Sequence, residues 1–144
     1  MRLLARFIPL SAALLGGCAV FRANPVEVTP ATWTTEGGVV VRDLLPGSGE
    51  EASTGRLATI EYTGWLEDGT EFDSTYDRGV PYSFVVGESA LPGWDEGIAG
   101  MRAGGRRWME VPPELAYGAE GVAGLIPPAA TLVFEVELVT VEDP

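Results

Sequence analysis

The clearest alternation of apolar and polar positions runs through residues 131–141, near the end of the chain. One set of alternate positions is apolar as far as Leu138 and continues to Thr140, while the other set includes Glu135 and Glu137. Successive side chains of a strand point to opposite faces, so this pattern is typical of a strand with one buried face.

Five further runs of alternating, aromatic or β-branched residues predict shorter strands. Asp68-Gly69, between two of these runs, is a strong signal for a tight hairpin turn. The six predicted strands cover residues 39–43, 57–66, 70–75, 82–86, 106–111 and 131–141.

Helical spacing is found in one segment, where Trp94, Ile98 and Met101 lie four and then three residues apart. Pro92 suits the first turn of a helix, and the glycine pair at 104–105 ends the pattern. The sequence therefore predicts an α+β fold: a twisted antiparallel sheet of five or six strands curled around one α-helix of about two turns.

The beginning of the chain has the layout of an export signal. Arg2 and Arg6 precede a short apolar stretch at residues 7–15, which is too short to span a bilayer. Residues 15–18 resemble the bacterial lipobox, in which the cysteine becomes the lipidated first residue. We expect residues 1–17 to be a signal peptide and Cys18 to be lipidated; the alternative is an unmodified cysteine after a simple cleaved signal.

Residues 18–38 begin with the cysteine expected to be lipidated. The rest of this segment has no sustained period and contains Pro25, Pro30 and two glycines, which predicts an extended tether. The folded domain is expected at residues 39–144. Ala19 is not the aspartate that retains some lipoproteins in the inner membrane. The expected location is therefore the periplasmic side of a bacterial membrane, with the outer membrane favoured.

The negative net charge limits the kinds of molecule that the protein is expected to bind. The formal net charge is −12, with nine arginines and neither lysine nor histidine. Phosphate binding needs clustered basic side chains, so nucleic acid is not expected as a partner. The residues suggest neither a cofactor nor a metal site, and in the absence of a dimerisation segment a monomer is expected.

Phe72 and Asp73 follow the predicted hairpin directly. A single carboxylate beside a large ring can line an apolar pocket that recognises a peptide group. Taken singly, each ring fits an ordinary buried core and the acid fits a turn cap, so the pair alone leaves both interpretations open.

The joint pattern is more specific, because six motifs in order resemble the FKBP-type peptidyl-prolyl isomerases between residues 39 and 142. They are Tyr-Thr-Gly at 62–64, Asp-Gly-Thr-Glu-Phe-Asp-Ser at 68–74, Leu-Pro-Gly-Trp at 91–94, Gly-Ile-Ala-Gly-Met at 97–101, Pro-Pro-Glu-Leu-Ala-Tyr-Gly at 112–118, and Ile-Pro-Pro-Ala-Ala-Thr-Leu-Val-Phe-Glu-Val-Glu-Leu at 126–138. The resemblance implies an FKBP-like fold with an apolar pocket between sheet and helix.

The resemblance also implies a set of site residues, with Trp94 as the pocket floor. Those matched to catalysis are Asp73, Tyr117 and Phe72. Those matched to substrate binding are Tyr62, Arg78, Tyr82, Ala90, Leu91, Trp94, Leu125, Ile126 and Phe134. The implied partners are Xaa-Pro segments of unfolded or exported proteins and rapamycin-type macrolides.

The chemistry of the implied reaction requires neither a nucleophile nor a metal. The barrier to rotation is the amide resonance of the Xaa-Pro bond, and a site that fits the twisted amide better than the planar forms lowers it. Lowering it by ~4 kcal/mol accelerates exchange about a thousandfold. Tyr117 is a candidate hydrogen-bond donor, and Asp73 a candidate polar contact for the rotating carbonyl.

Three positions depart from the family pattern. Val122 stands where the best-known members have a histidine, Leu115 where many have an aromatic residue, and Tyr82 where they have phenylalanine. Two functions remain in competition at this stage: an active isomerase of exported proteins, and a low-activity proline-binding or chaperone module tethered to the membrane.

Overall fold

The computed structural model describes residues 30–144. The expected signal peptide, Cys18 and most of the expected tether lie outside the described residues. None of the helices among residues 30–144 has the length and apolar character needed to cross a membrane.

The described residues form one antiparallel sheet of seven strands, one more than the upper predicted number. Its order is β1-β2-β6-β7-β3-β4, and β5 pairs with the first half of β3. The strands are β1 (Thr32–Thr34), β2 (Val40–Leu45), β3 (Leu57–Leu66), β4 (Glu71–Ser74), β5 (Tyr82–Val85), β6 (Arg106–Val111) and β7 (Leu132–Glu142).

Two α-helices and one 3₁₀ turn complete the fold. The one-turn helix α1 (Thr75–Arg78) links β4 to β5, and α2 (Pro92–Ile98) lies between β5 and β6. The 3₁₀ turn covers Pro113–Leu115. The predicted α+β fold with a short helix of about two turns is confirmed, and α1 is an addition to it.

The alternation predicted for the long strands matches the observed burial. Ala58, Ile60 and Tyr62 of β3 are buried, and so are Leu132 and its alternate neighbours through Leu138 on β7. Thr140 does not continue the buried face. The pairing of β3 with β7 shifts register between Thr59 and Ile60, and an extra residue in one strand reverses the faces beyond it, so that Val141 turns inward.

The predicted tether ends earlier than residue 38. Thr32–Thr34 pairs with Val40, Val41 and Arg42 as an edge strand. A tight turn closes this hairpin, with the Thr35 amide donating to the Val39 carbonyl at 2.8 Å. Three residues are too few to show an alternating pattern, and the turn glycines were interpreted as part of the tether.

The predicted strand 70–75 is also too long at its end. β4 stops at Ser74, and Thr75 begins α1. Gly79 ends this helix in the left-handed conformation with φ +70°, the usual role of glycine after a helix.

Helix α2 packs closely against β6 because two of its residues are glycines. A β-carbon on Gly93 would lie 2.3 Å from Cγ1 of Val111, and one on Gly97 would lie 2.6 Å from the sulfur of Met109. This close approach buries the indole of Trp94, which projects from the first turn of the helix.

Arg107 fixes the other end of α2. Its Nη1 donates to the carbonyls of Gly97 at 2.9 Å and Ala99 at 3.2 Å, and its Nε donates to Asp43 at 2.7 Å. The guanidinium also lies 4.9 Å from the centre of the Trp33 ring, a cation–π distance. A buried arginine thus joins the end of the helix to β2 and to the edge strand β1.

The two acids of α2 make further ties. Asp95 accepts from the amides of Gly87 at 2.8 Å and Ser89 at 3.0 Å. Glu96 accepts from the hydroxyl of Thr35 at 2.7 Å and from the amide of Gly37 at 3.2 Å. The helix is therefore held by the loop before it and by the β1–β2 turn.

Replacing Arg107 with methionine should lower the free energy of unfolding by about 2–4 kcal/mol, because two carbonyls lose their donor and Asp43 loses its partner. The loss is smaller than for a fully buried pair since the Asp43 side chain is 40% exposed. Urea unfolding measures the difference. The matched control is Arg106→Met, which removes an exposed pair with Glu135 and should change stability by less than about 1 kcal/mol. Equal effects of the two variants would contradict the anchoring role of Arg107.

Candidate active site

Aromatic rings from four different elements meet around Trp94. The centre of its ring lies 4.7 Å from Tyr62, 5.4 Å from Phe134, 5.5 Å from Tyr82 and 6.0 Å from Phe84. Phe72 joins the group through an edge-to-face contact with Phe134 at 5.7 Å. We call these six rings the aromatic cluster.

Gly64 makes room for part of the aromatic cluster. It lies on the inner face of β3, and a β-carbon there would be 2.6 Å from the tip of Phe72 and 2.9 Å from the ring of Phe134. The Tyr-Thr-Gly motif thus has a steric basis, because any larger residue at position 64 would push one of these rings away.

Tyr62, Asp73 and Arg78 form a polar corner beside the aromatic cluster. The Tyr62 hydroxyl donates to one oxygen of Asp73, and Arg78 donates to the other. Arg78 also donates to the Tyr62 hydroxyl at 3.3 Å. Both carboxylate oxygens are therefore oriented, by a residue of β3 on one side and by one of α1 on the other.

The polar corner keeps the Tyr62 phenol protonated. The pKa of Tyr62 is raised to about 12, first by burial; the hydrogen bond from Arg78 lowers it, and the neighbouring Asp73 raises it. At neutral pH the phenol is a hydrogen-bond donor, and the carboxylate is its acceptor.

Thr75 is a supporting residue that the sequence did not identify. Its buried hydroxyl accepts from the Tyr62 amide at 2.8 Å and donates to Glu61, which fixes the start of α1 behind Tyr62. A hydroxyl at the end of an apparent strand gives no such signal.

Tyr117 follows the 3₁₀ turn and is 44% exposed. Its pKa is raised by partial burial and then by the neighbouring charge of Asp73 and the phenol of Tyr82. The Tyr117 hydroxyl is thus within electrostatic reach of the polar corner and of one ring of the aromatic cluster.

The loops beside the cluster contain the remaining predicted site residues. Leu91 and Ile126 are buried in the same core as Trp94. Ala90 and Leu125 are exposed. The Leu91 amide donates to the Ser89 hydroxyl at 3.1 Å. Val122 pairs with Ile126, and residues 120–128 border a cavity of about 480 Å³.

The structure therefore brings most of the predicted site residues together. Ring contacts and hydrogen bonds connect Tyr62, Phe72, Asp73, Arg78, Tyr82, Trp94 and Phe134. Tyr117 is related to them through its pKa, which Asp73 and Tyr82 both raise. Residues 30–144 contain no group of three or more acidic, histidine or cysteine side chains arranged for a metal ion. The arrangement offers a group of packed rings beside one oriented carboxylate and phenol donors.

Comparison with known proteins supports the same assignment. A model of the C-terminal FKBP family, described as FKBP-type peptidyl-prolyl cis-trans isomerase, matches residues 48–139. An FK506-binding protein of Neisseria meningitidis serogroup B is 51% identical over 106 residues, which are 73% of this chain and 97% of that protein. The peptidyl-prolyl cis-trans isomerase Fkbp12 of Drosophila melanogaster is 45% identical over 107 residues, covering 73% and 99%.

Solved structures of similar proteins support the same family assignment. The crystal structure of FkpA from Escherichia coli superposes with a TM-score of 0.72 at 43% identity, covering 78% of this chain and 52% of that one. The crystal structure of AtFKBP13 gives a TM-score of 0.70 at 38% identity, covering 76% and 98%. With the fold, the family match and these relatives in agreement, the chain belongs to the FKBP-type peptidyl-prolyl cis-trans isomerases, enzymes that interconvert the cis and trans forms of Xaa-Pro bonds.

Proposed function

We propose that isomerisation takes place in the space bounded by the aromatic cluster, with Trp94 as its floor. The observation that carries this proposal is the meeting of several rings around Trp94 next to a single oriented carboxylate. A proline ring suits such an apolar space, and the twisted amide, which has lost its resonance polarity, suits it better than the planar forms do.

In this proposal Phe72, Tyr82 and Phe134 are walls for the proline ring. The Tyr117 hydroxyl donates to a peptide carbonyl beside the proline. Asp73 is a fixed polar contact for the rotating carbonyl. Because Tyr62 and Arg78 occupy both of its oxygens, Asp73 acts through its position and charge, without taking a proton. Fixed groups of this kind need no reorganisation when the bond turns.

Asp73→Asn should lower kcat/KM for short Xaa-Pro peptides by about ten- to a hundredfold, because it removes the charge at the rotating carbonyl and the charged acceptor that holds Tyr62 and Arg78 in place. A cis/trans exchange assay on the purified domain measures the loss. The matched control is Asp77→Asn, which neutralises an exposed acid on α1 and should leave the rate within about twofold.

Unchanged kcat/KM in a folded Asp73→Asn protein would remove Asp73 from the site. A different outcome would favour the binding or chaperone module: the wild-type protein binds Xaa-Pro peptides, but the rate of cis/trans exchange does not rise above that of the free peptide and does not change when rapamycin is added. The observation in favour of that second function is that Val122 and Leu115 depart from the family pattern while both pack against the core beside the cluster.

The polar corner also predicts a loss of stability in alkali. Below pH 10 the Tyr62 proton is held in both the folded and unfolded states, so its contribution to stability is complete. Between pH 10 and about 12 the unfolded chain releases the proton while the folded protein retains it, so the free energy of unfolding falls as pH rises. Urea unfolding at several pH values should show a steeper fall for the wild type than for Tyr62→Phe. The chain has no lysine to obscure the effect, and parallel curves would contradict it.

We further propose that this enzyme serves exported proteins from a lipid anchor on Cys18, at the periplasmic side of the outer membrane. The support is the signal-peptide layout of residues 1–17 and the lipobox-like residues 15–18. Because β1 begins at Thr32, the tether is residues 19–31, which reach roughly 40 Å when fully extended.

Cys18→Ser should move the protein from the membrane fraction to the aqueous fraction of a bacterial host and abolish incorporation of labelled palmitate. Its kcat/KM in vitro should stay unchanged, since position 18 lies outside residues 48–139, which match the family model. Membrane association that survives the substitution would contradict the anchor.

A further inference from the structure

Tyr82 has a hydroxyl that takes no part in the packing of the aromatic cluster. It is the first residue of β5 and pairs with Ile60 of β3. Its half-buried ring stacks on Phe84 at 6.0 Å and meets Trp94 edge-on at 5.5 Å and Tyr62 at 6.5 Å. The ring is therefore part of the cluster, and its para position carries a hydroxyl into a wall that is otherwise apolar.

That hydroxyl has no internal role. Tyr62 donates to Asp73, and Tyr76 donates to Glu137 at 3.0 Å. Within residues 30–144 the Tyr82 hydroxyl makes no hydrogen bond to protein, and it is not one of the buried polar atoms that lack a partner. It is thus open to solvent, with its hydrogen-bonding capacity available to a molecule that enters the pocket.

The groups near the Tyr82 hydroxyl indicate which kind of ligand atom it can bind. The Tyr82 ring lies 6.5 Å from that of Tyr62, whose hydroxyl donates to Asp73, and both Asp73 and Tyr82 raise the pKa of Tyr117. The carboxylate is already engaged on both oxygens, whereas the two phenols are donors without protein partners among the described residues. A peptide offers carbonyl acceptors on both sides of a proline, and these are the groups that such donors recognise.

We propose that the Tyr82 hydroxyl donates a hydrogen bond to a backbone carbonyl of the bound peptide, beside the bond donated by Tyr117. Tyr82 is then a specificity-determining residue that favours substrates with a backbone carbonyl acceptor beside the proline. A phenylalanine at this position supplies the wall without the donor. This inference depends on the proposed pocket and adds to it a second point of contact.

Tyr82→Phe removes a single oxygen and tests the inference directly. Exchange kinetics on a tetrapeptide with one Xaa-Pro bond should show KM raised about three- to tenfold with kcat within twofold, because the bond is present in both ground and transition states. Thermal unfolding should not change, since no protein group loses a partner. Tyr76→Phe, on an exposed tyrosine whose hydroxyl contacts Glu137, is the matched control and should leave KM unchanged.

The double variant Tyr82→Phe/Tyr117→Phe adds a second readout. If each hydroxyl donates its own hydrogen bond, the two losses in kcat/KM multiply. An unchanged or lowered KM in Tyr82→Phe overturns the inference while the pocket stands, provided that Asp73→Asn still loses activity. An inactive wild-type protein instead overturns the proposed isomerase site, which keeps the two failures distinct.

Discussion

The position of Trp94, around which the aromatic cluster is packed, depends on how Arg107 holds the end of a very short helix. A helix of seven residues is far below the length at which helices persist alone in water, so its place must come from neighbours. The Arg107 guanidinium takes the carbonyls of Gly97 and Ala99, which have no partner inside the helix, and is itself oriented by Asp43. Trp94, one turn away, inherits that position, and the other rings pack against it.

The proposed site works by shape and requires walls that do not move when substrate arrives, and the hydrogen bonds around α2 meet this requirement. Asp95 and Glu96, which would be solvent-facing on an ordinary surface helix, accept backbone and hydroxyl hydrogens from two separate loops. At the opposite wall Thr75 fixes Tyr62, and Tyr62 with Arg78 fixes Asp73. The preorganisation that catalysis of a conformational change needs is thus distributed over many ordinary hydrogen bonds.

Elements with a long pattern were predictable, and short or irregular ones were not. The alternation in β3, β6 and β7 gives their buried faces, while β1 and α1 span three and four residues and carry too little periodicity. The bulge that turns Val141 inward depends on pairing between strands, which no single segment encodes. Motif order placed Tyr62, Asp73 and Trp94 in one site, but the occupation of the Leu91 amide by Ser89 and the support from Thr75 arise only in three dimensions.

The order of the strands separates the place where the chain enters the sheet from the strand that carries Phe72 and Asp73. β1, where the chain enters the fold, is one edge, and β4, which carries Phe72 and Asp73, is the other. Five interstrand steps of about 4.8 Å separate them, roughly 24 Å along the curved sheet. Whatever precedes β1 therefore joins the fold at the edge of the sheet remote from Phe72 and Asp73.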